Sequence, residues 1–234
     1  MNSLRNGEKE MFPYYGQQIE KDKIVTEMKM IDVDAKLILD RKKCTGCGIC
    51  VTVCPKEAIQ RGPVGAAGKE LSDVPAVLVN KKKCSFCGIC VYLCPFEALE
   101  LQINDEPRLR VVEGGALPIL KAEKVKLAKD EGKTAKKYFE GEIIAHPQKC
   151  PGGCATCTLI CPTEAIKIPK REHPWDKPPK IEVDKDKCIL CGLCVVACPG
   201  EGALEIRRTK VLSEGEYTEI WDKIVEKLTT PKTS

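Results

Sequence analysis

Aromatic residues are scarce in this chain, at 5% of 234 positions, and apolar residues of every kind make up 43%. So few rings give a modest hydrophobic core for this length, and a further source of cohesion is expected. Long apolar runs are missing as well. No stretch approaches the roughly 20 uncharged apolar residues that a membrane helix requires, and the densest one, around Cys188 to Cys198, is interrupted by cysteines. Direct membrane insertion is therefore not expected. The first ten residues, Met1 to Glu10, hold no apolar leader and no small-residue cleavage site, which predicts a cytoplasmic chain and argues against disulfides.

Other absences narrow the chemistry. The two histidines, His146 and His173, have no companion suited to acid–base catalysis, and His146 reads as a loop residue. No GxGxxG string follows a strand, so neither a flavin nor a nicotinamide site is expected. Gly62-x2-Gly65-x2-Gly68-Lys69 superficially suggests a phosphate loop, but Pro63 and Glu70 occupy positions that need glycine and Ser or Thr. Lys and Arg number 38 against 34 Asp and Glu. That near balance, without aromatic residues between the basic ones, excludes a nucleic-acid surface. No catalytic site is expected on this chain.

What the chain has is cysteine, sixteen of them, and nearly one string four times over. Cys44-x2-Cys47-x2-Cys50-x3-Cys54-Pro55 is followed by Cys84-x2-Cys87-x2-Cys90-x3-Cys94-Pro95. The third copy is one residue wider, Cys150-x3-Cys154-x2-Cys157-x3-Cys161-Pro162, and the fourth is Cys188-x2-Cys191-x2-Cys194-x3-Cys198-Pro199. No cysteine is left over. Structural zinc would call for two separated Cys-x2-Cys pairs, whereas a triplet with a trailing Cys-Pro is the spacing of a [4Fe-4S] cluster. Three cysteines two residues apart wrap three corners of a cube, and glycines such as Gly46, Gly48, Gly88 and Gly192 let the backbone come close. Metal binding would then supply much of the folding free energy.

The flanks repeat too. Each copy follows a β-prone segment (Leu37 to Leu39, Val77 to Val79, Ile143-Ile144, Ile181 to Val183) and precedes a Glu-Ala-Ile or Glu-Ala-Leu phrase, with a glycine inserted in the last. Each unit reads strand, cysteine loop, short helix, strand. The close spacing of copies one and two, and of three and four, groups them as two modules; a nested pairing of one with four is the alternative. The expected organisation is an N-terminal extension (residues 1–35), a first module (36–105), a charged connector (106–139), a second module (140–208) and a C-terminal amphipathic helix and tail (209–234).

These strings resemble the bacterial-type 2[4Fe-4S] ferredoxin family, and their multiplicity resembles a polyferredoxin. The resemblance implies an α+β fold of two tandem ferredoxin-like modules, with short antiparallel strands, short helices and many loops, carrying four [4Fe-4S] clusters. It also implies that the fourth cysteine of each copy serves the neighbouring cluster. The ligand sets become Cys44, Cys47, Cys50 with Cys94; Cys84, Cys87, Cys90 with Cys54; Cys150, Cys154, Cys157 with Cys198; and Cys188, Cys191, Cys194 with Cys161. A formal charge of +4 would turn mildly acidic once each set and its cluster contributed about −2. Lysines beside the loops (Lys42, Lys43, Lys81 to Lys83, Lys149, Lys187) would partly offset it.

The Cys-Pro-Gly-Gly-Cys154 string, the Pro-rich insertion and the C-terminal Trp221 helix are similar to the polyferredoxin subunits of archaeal formylmethanofuran dehydrogenases. That likeness implies an electron-transfer subunit of a low-potential complex in anaerobic methanogenesis, with other subunits of the redox enzyme as partners. A freely diffusing polyferredoxin, or an electron-transfer subunit of a hydrogenase or another oxidoreductase, are the competing readings.

Four finer expectations remain. The extra residue of the third loop reads as a variant tolerated through its two glycines. The insertions at 61–75 and 169–180 read as turns, with Trp175 as a docking anchor in the alternative. Leu120 to Lys137 reads as a solvated helix broken at Gly132. Tyr217, Ile220, Trp221, Ile224, Val225 and Leu228 predict a helix that packs on its own modules.

Overall fold

The computed structural model of the chain describes residues 12–67, 73–128, 132–151, 153–169, 173 and 181–234. In the first half, β1 (Tyr14–Ile19), β2 (Lys23–Lys29) and β3 (Asp34–Asp40) lead into the first loop and α1 (Ile49–Val53). β4 (Ile59–Arg61), α2 (Val64–Ala67) and β5 (Val77–Val79) then precede the second loop, α3 (Ile89–Tyr92), β6 (Leu99–Ile103) and β7 (Glu106–Pro107). The alternation in Asp34–Asp40 explains its place: Ala35, Leu37 and Leu39 are buried, period two, on one face. Leu37 faces Leu101 and Leu39 faces Leu99 in antiparallel register. The sheet runs β1-β2-β3-β6-β7, so the N-terminal segment extends the first module's sheet, and a separate β4-β5 ribbon completes that half.

The connector differs from the helical expectation. After α4 (Arg110–Glu113) and β8 (Ile119–Leu120) come β9 (Glu123–Lys126) and β10 (Thr134–Lys137), an antiparallel hairpin in which Thr134 faces Lys126 and Lys137 faces Glu123. Two physical reasons favour strand. Val125 and Leu127 are two apart and share one strand face, and Gly132, at φ 82°, takes a left-handed turn conformation open to glycine. The hairpin is also clamped at both ends. Lys136 N–H donates to the Pro95 carbonyl at 2.8 Å, and Ala128 N–H donates to that of Pro162 at 2.9 Å.

The second half repeats the first with fewer strands: β11 (Phe139–Ala145), α5 (Thr156–Ile160), β12 (Ile166–Lys167), β13 (Glu182–Val183), α6 (Leu193–Ala197) and β14 (Leu204–Val211). β15 (Ser213–Glu214), α7 (Glu219–Thr229) and β16 (Lys232–Thr233) follow. β14 is the centre of a β11-β14-β16 sheet, and β15 returns to pair with β8. A bulge between Glu140 and Gly141 interrupts the β11–β14 register. Gly141 is required there, because a Cβ would stand 2.0 Å from the Arg207 carbonyl oxygen.

α7 packs on the chain itself, as its periodicity predicts, burying Trp221, Ile224 and Leu228. Tyr217 and Ile220, expected on the same face, are exposed instead. The helix begins only at Glu219 and turns its face to Trp221, so those two fall outside the seam. α7 meets both α1 of the first half and β14 of the second. α2 crosses the same boundary to α6 with Ala66 and Ala67 buried, so the first insertion is more than a turn. Buried residues of both halves form one continuous core. Trp175 lies outside the described residues. Among those described, no helix is long and apolar enough to cross a membrane.

Candidate metal centres

Each cysteine loop but the third is launched from the end of a strand by the same device. Asp40, Asn80 and Asp184 stand four residues before the first cysteine and accept backbone N–H groups with their Oδ1: from Lys42 (2.8 Å) and Lys43 (3.1 Å), from Lys82 (3.1 Å) and Lys83 (3.3 Å), and from Asp186 (3.0 Å) and Lys187 (3.2 Å). Their carbonyls then accept from Cys44 (3.0 Å), Cys84 (3.0 Å) and Cys188 (2.9 Å). These Asx turns fix where the loop starts. The third copy has His146 at that position and starts instead with a 3-10 turn, Pro147–Lys149. The signal is present in the sequence, as Asp or Asn four before the first cysteine in three of four copies, and is missed when the cysteines alone are aligned.

Glycine sets the entry to the short helices. Gly48, Gly88 and Gly192 cap α1, α3 and α6 with left-handed φ of 76°, 84° and 83°. Ala155 takes that place in the third copy at φ −120°. The proline after the fourth cysteine sets the exit. It bars helical backbone at the residue before it, and Cys54, Cys161 and Cys198 accordingly leave extended, at ψ 115°, 117° and 122°. The repeated Glu-Ala phrase then closes back. Glu57, Glu97 and Glu164 adopt φ of 49°, 50° and 50°, and the next N–H donates to the thiol sulfur: Ala58 to Cys54 (3.2 Å), Ala98 to Cys94 (3.4 Å) and Ala165 to Cys161 (3.3 Å).

The thiols gather across the copies. Cys94 lines one cavity with Cys44, Cys47 and Cys50 and adds to the rise of the Cys47 thiol, and Cys90 adds to that of Cys50. Cys84 and Cys90 are each influenced by Cys87 and Cys54. In the second half, Cys161 acts on Cys188 and Cys194, and Cys150 and Cys154 act on Cys157. Gly200, two residues after Cys198, packs on the third loop, where a Cβ would stand 2.8 Å from the Lys149 carbonyl oxygen and 2.9 Å from Cδ of Pro151, while Cys198 itself lines a cavity with Cys47 and Cys191. Between the halves, Cys47 and Cys191 line one cavity, and the Cys47 thiol adds to the rise that burial gives Cys191.

Burial pushes the Cys47 thiol up to about 11, with Cys94 adding to it, and pushes Cys84 up to about 11. It carries Cys50, Cys90 and Cys191 well above the ordinary thiol range. Cys154, in the widened loop, goes the other way through its hydrogen bond with Thr156. Buried thiolates packed together are unfavourable until a cation joins them, which suits a metal group. The spacing suits a cluster over a lone ion. Structural zinc is held by separated Cys-x2-Cys pairs, whereas three of the four copies here are a Cys-x2-Cys-x2-Cys triplet with a trailing Cys-Pro. Cys44, Cys47, Cys50 and Cys94 instead line one apolar cavity with Leu39 and Ile49.

Two buried polar side chains at the boundary between the halves leave no motif in the sequence. The phenol of Tyr138 donates to the Leu93 carbonyl. Arg208 lies on the core-facing side of β14 with Leu204 and Ile206, and is 5% exposed. Strand alternation from Leu204 would have pointed to it.

A family model described as a 4Fe-4S dicluster domain matches this chain at residues 43–98 and again at 149–203. Among curated relatives, the polyferredoxin-like subunit of an aliphatic sulfonate oxidoreductase from Pyrococcus furiosus is 36% identical over 64 residues, covering 27% of this chain and 32% of that one. One component of an ion-translocating oxidoreductase complex from Methanosarcina acetivorans is 33% identical over 78 residues, covering 33% and 23%. The chain thus spans a third or less of the length of these curated relatives. A solved chain in the formate dehydrogenase, heterodisulfide reductase and formylmethanofuran dehydrogenase complex of Methanospirillum hungatei is 33% identical, with a TM-score of 0.82 over 96% of this chain and 94% of that one. The chain belongs to the 4Fe-4S dicluster ferredoxin family, as a polyferredoxin that transfers electrons through four [4Fe-4S] clusters.

Proposed function

We propose that this polyferredoxin is the electron-transfer subunit of a larger low-potential redox complex, of which formylmethanofuran dehydrogenase is the best candidate, working in the cytoplasm. The observation that carries the reading is likeness over the whole chain, 96% of it, to a chain of such an assembly. A likeness confined to the cysteine loops would fit any ferredoxin. This one extends to the hairpin before the first loop and the helix after the last.

The ligand sets are those implied by the family: Cys44, Cys47, Cys50, Cys94; Cys84, Cys87, Cys90, Cys54; Cys150, Cys154, Cys157, Cys198; and Cys188, Cys191, Cys194, Cys161. A bound [4Fe-4S] cluster supplies a one-electron couple whose potential responds to hydrogen bonds on its sulfurs and to burial. The residues of the chain do the rest. Ala58, Ala98 and Ala165 aim N–H groups at ligand sulfurs. Leu39, Ile49 and Phe96 keep water from the first set. Cys47 and Cys191 line one cavity, so the first and fourth sets meet at the boundary between the halves.

Anaerobic size exclusion of native extract, followed by mass spectrometry of the fractions holding this chain, tests the assembly. Co-elution with pterin-enzyme or other oxidoreductase subunits is expected. Elution near the 25.8 kDa of the monomer, without partners, would instead establish a diffusible carrier.

A further inference from the structure

At the boundary between the halves, one cavity is lined by Cys47, Cys191 and Cys198 together with Arg61, Arg208 and Lys232. Among the described residues no acidic side chain lines it, and the terminal oxygen of Ser234, also in the lining, accepts from Gly202 N–H at 2.7 Å. Three cations crowd one partly desolvated seam, and the strain shows at Lys232, which burial first, and then Arg208 and Arg61, bring down to about 8. Such a grouping is costly unless comparable negative charge faces it.

Arg208 is fixed in that seam by neutral groups alone. Its Nε donates to the Leu190 carbonyl at 2.9 Å, Nη2 to that of Cys191 at 3.1 Å and Nη1 to that of Leu228 at 3.3 Å. The guanidinium also sits 4.7 Å from the ring centroid of Phe139. These partners hold its orientation and leave its full charge uncancelled, since guanidinium does not deprotonate in proteins. Arg208 thus shares its cavity with Cys47 and Cys191 and is bonded to the backbone of the latter. Arg61 bonds in turn to the Cys47 carbonyl at 3.4 Å, so the arginines reach the backbone of the first and fourth loops, whereas the Cys198 thiol bonds to the Gly200 carbonyl at 3.6 Å.

We infer that Arg208, with Arg61 and Lys232 beside it, is a positioning cation for the junction between the modules. It holds the clusters of the first and fourth sets easier to reduce than they would otherwise be, so that an electron passing between modules meets favourable sites on both sides of the seam. This rests on the ligand sets given above. One electron from an external low-potential reductant takes a set and its cluster from about −2 to −3, with no bond broken and no proton needed. A fixed cation nearby favours the more negative state.

The test is an EPR-monitored redox titration of the reconstituted full chain, alongside its iron and cluster count, for the wild type, Arg208→Gln, Arg208→Lys and Arg61→Gln. In Arg208→Gln two of four clusters become about tenfold harder to reduce, which is about 59 mV for a one-electron couple, while the other two keep their potentials. Arg208→Lys restores most of that shift. Should Arg208→Gln not assemble, Arg61→Gln decides: Arg61 is exposed and only its 3.4 Å bond to the Cys47 carbonyl is lost, so one cluster shifts the same way by about threefold. Unmoved potentials in the variants that assemble, or equal shifts in all four clusters, overturn the inference and leave the ligand sets standing. A wild-type chain with fewer than four clusters after full reconstitution overturns both.

Discussion

The phenol of Tyr138 donates a hydrogen bond to the carbonyl of Leu93, and neither residue is reached by solvent. Leu93 is the residue before Cys94, and Tyr138 sits between the connector hairpin and the first strand of the second half. One bond therefore ties the backbone that carries a ligand thiol to the element that launches the other module. The ring also packs 4.4 Å from that of Phe139. Burial, and then the nearby Cys47 and Cys94 thiols, hold its hydroxyl well above the ordinary range, so it stays a neutral donor.

Tyr138→Phe keeps the ring and removes the donor, leaving a buried carbonyl unpaired. The expected loss is about 1–3 kcal/mol of stability. Anaerobic urea denaturation of the reconstituted protein should show a lower midpoint with an unchanged slope. A midpoint matching the wild type would mean that another donor takes over at Leu93.

Cys94→Ala addresses the cross-ligation. Cys94 shares a cavity with Cys44, Cys47 and Cys50, although in sequence it closes the second motif. The variant should hold about twelve iron atoms per chain against about sixteen, and the missing cluster should be the first motif's. Iron analysis with EPR spin quantitation reads this directly. Loss of a cluster from the second half in its place would refute the pairing.

The cysteine frame was legible in the sequence because ligation leaves a literal spacing, and proline after each fourth cysteine has one backbone consequence. The four strand–loop–helix–strand units could be read for the same reason. Leu120 to Lys137 could not, since two apolar residues among many lysines carry too little pattern to separate strand from helix, and what decides it is backbone pairing with Pro95 and Pro162. Arg208 is not legible as core in the sequence, because a charged residue is rarely buried. The seam to which it belongs joins residues far apart in the chain, Cys47 with Cys191 and Thr52 with Lys232, whose ammonium donates to the threonine hydroxyl at 2.5 Å. Spacing along a sequence holds no record of such a contact.

Trp221 offers a test of that seam from its outer side. It is 3% exposed, with Ile224 and Leu228 one and two turns further along α7, and the helix touches both α1 and β14. Leu228 also presents its carbonyl to Arg208. Truncation to alanine removes the largest apolar contact of α7 and leaves a cavity between the halves, at a cost of about 3–5 kcal/mol. Ile220→Ala, on the exposed side of the same helix, should stay within about 0.5 kcal/mol of the wild type. Anaerobic thermal melts of both variants separate the two faces. Limited proteolysis adds the location: if α7 holds the halves together, Trp221→Ala should expose the segment near Gly215 to cleavage while the iron content stays at the wild-type level, whereas iron lost in step with the melt would assign the helix to the folding of the whole chain.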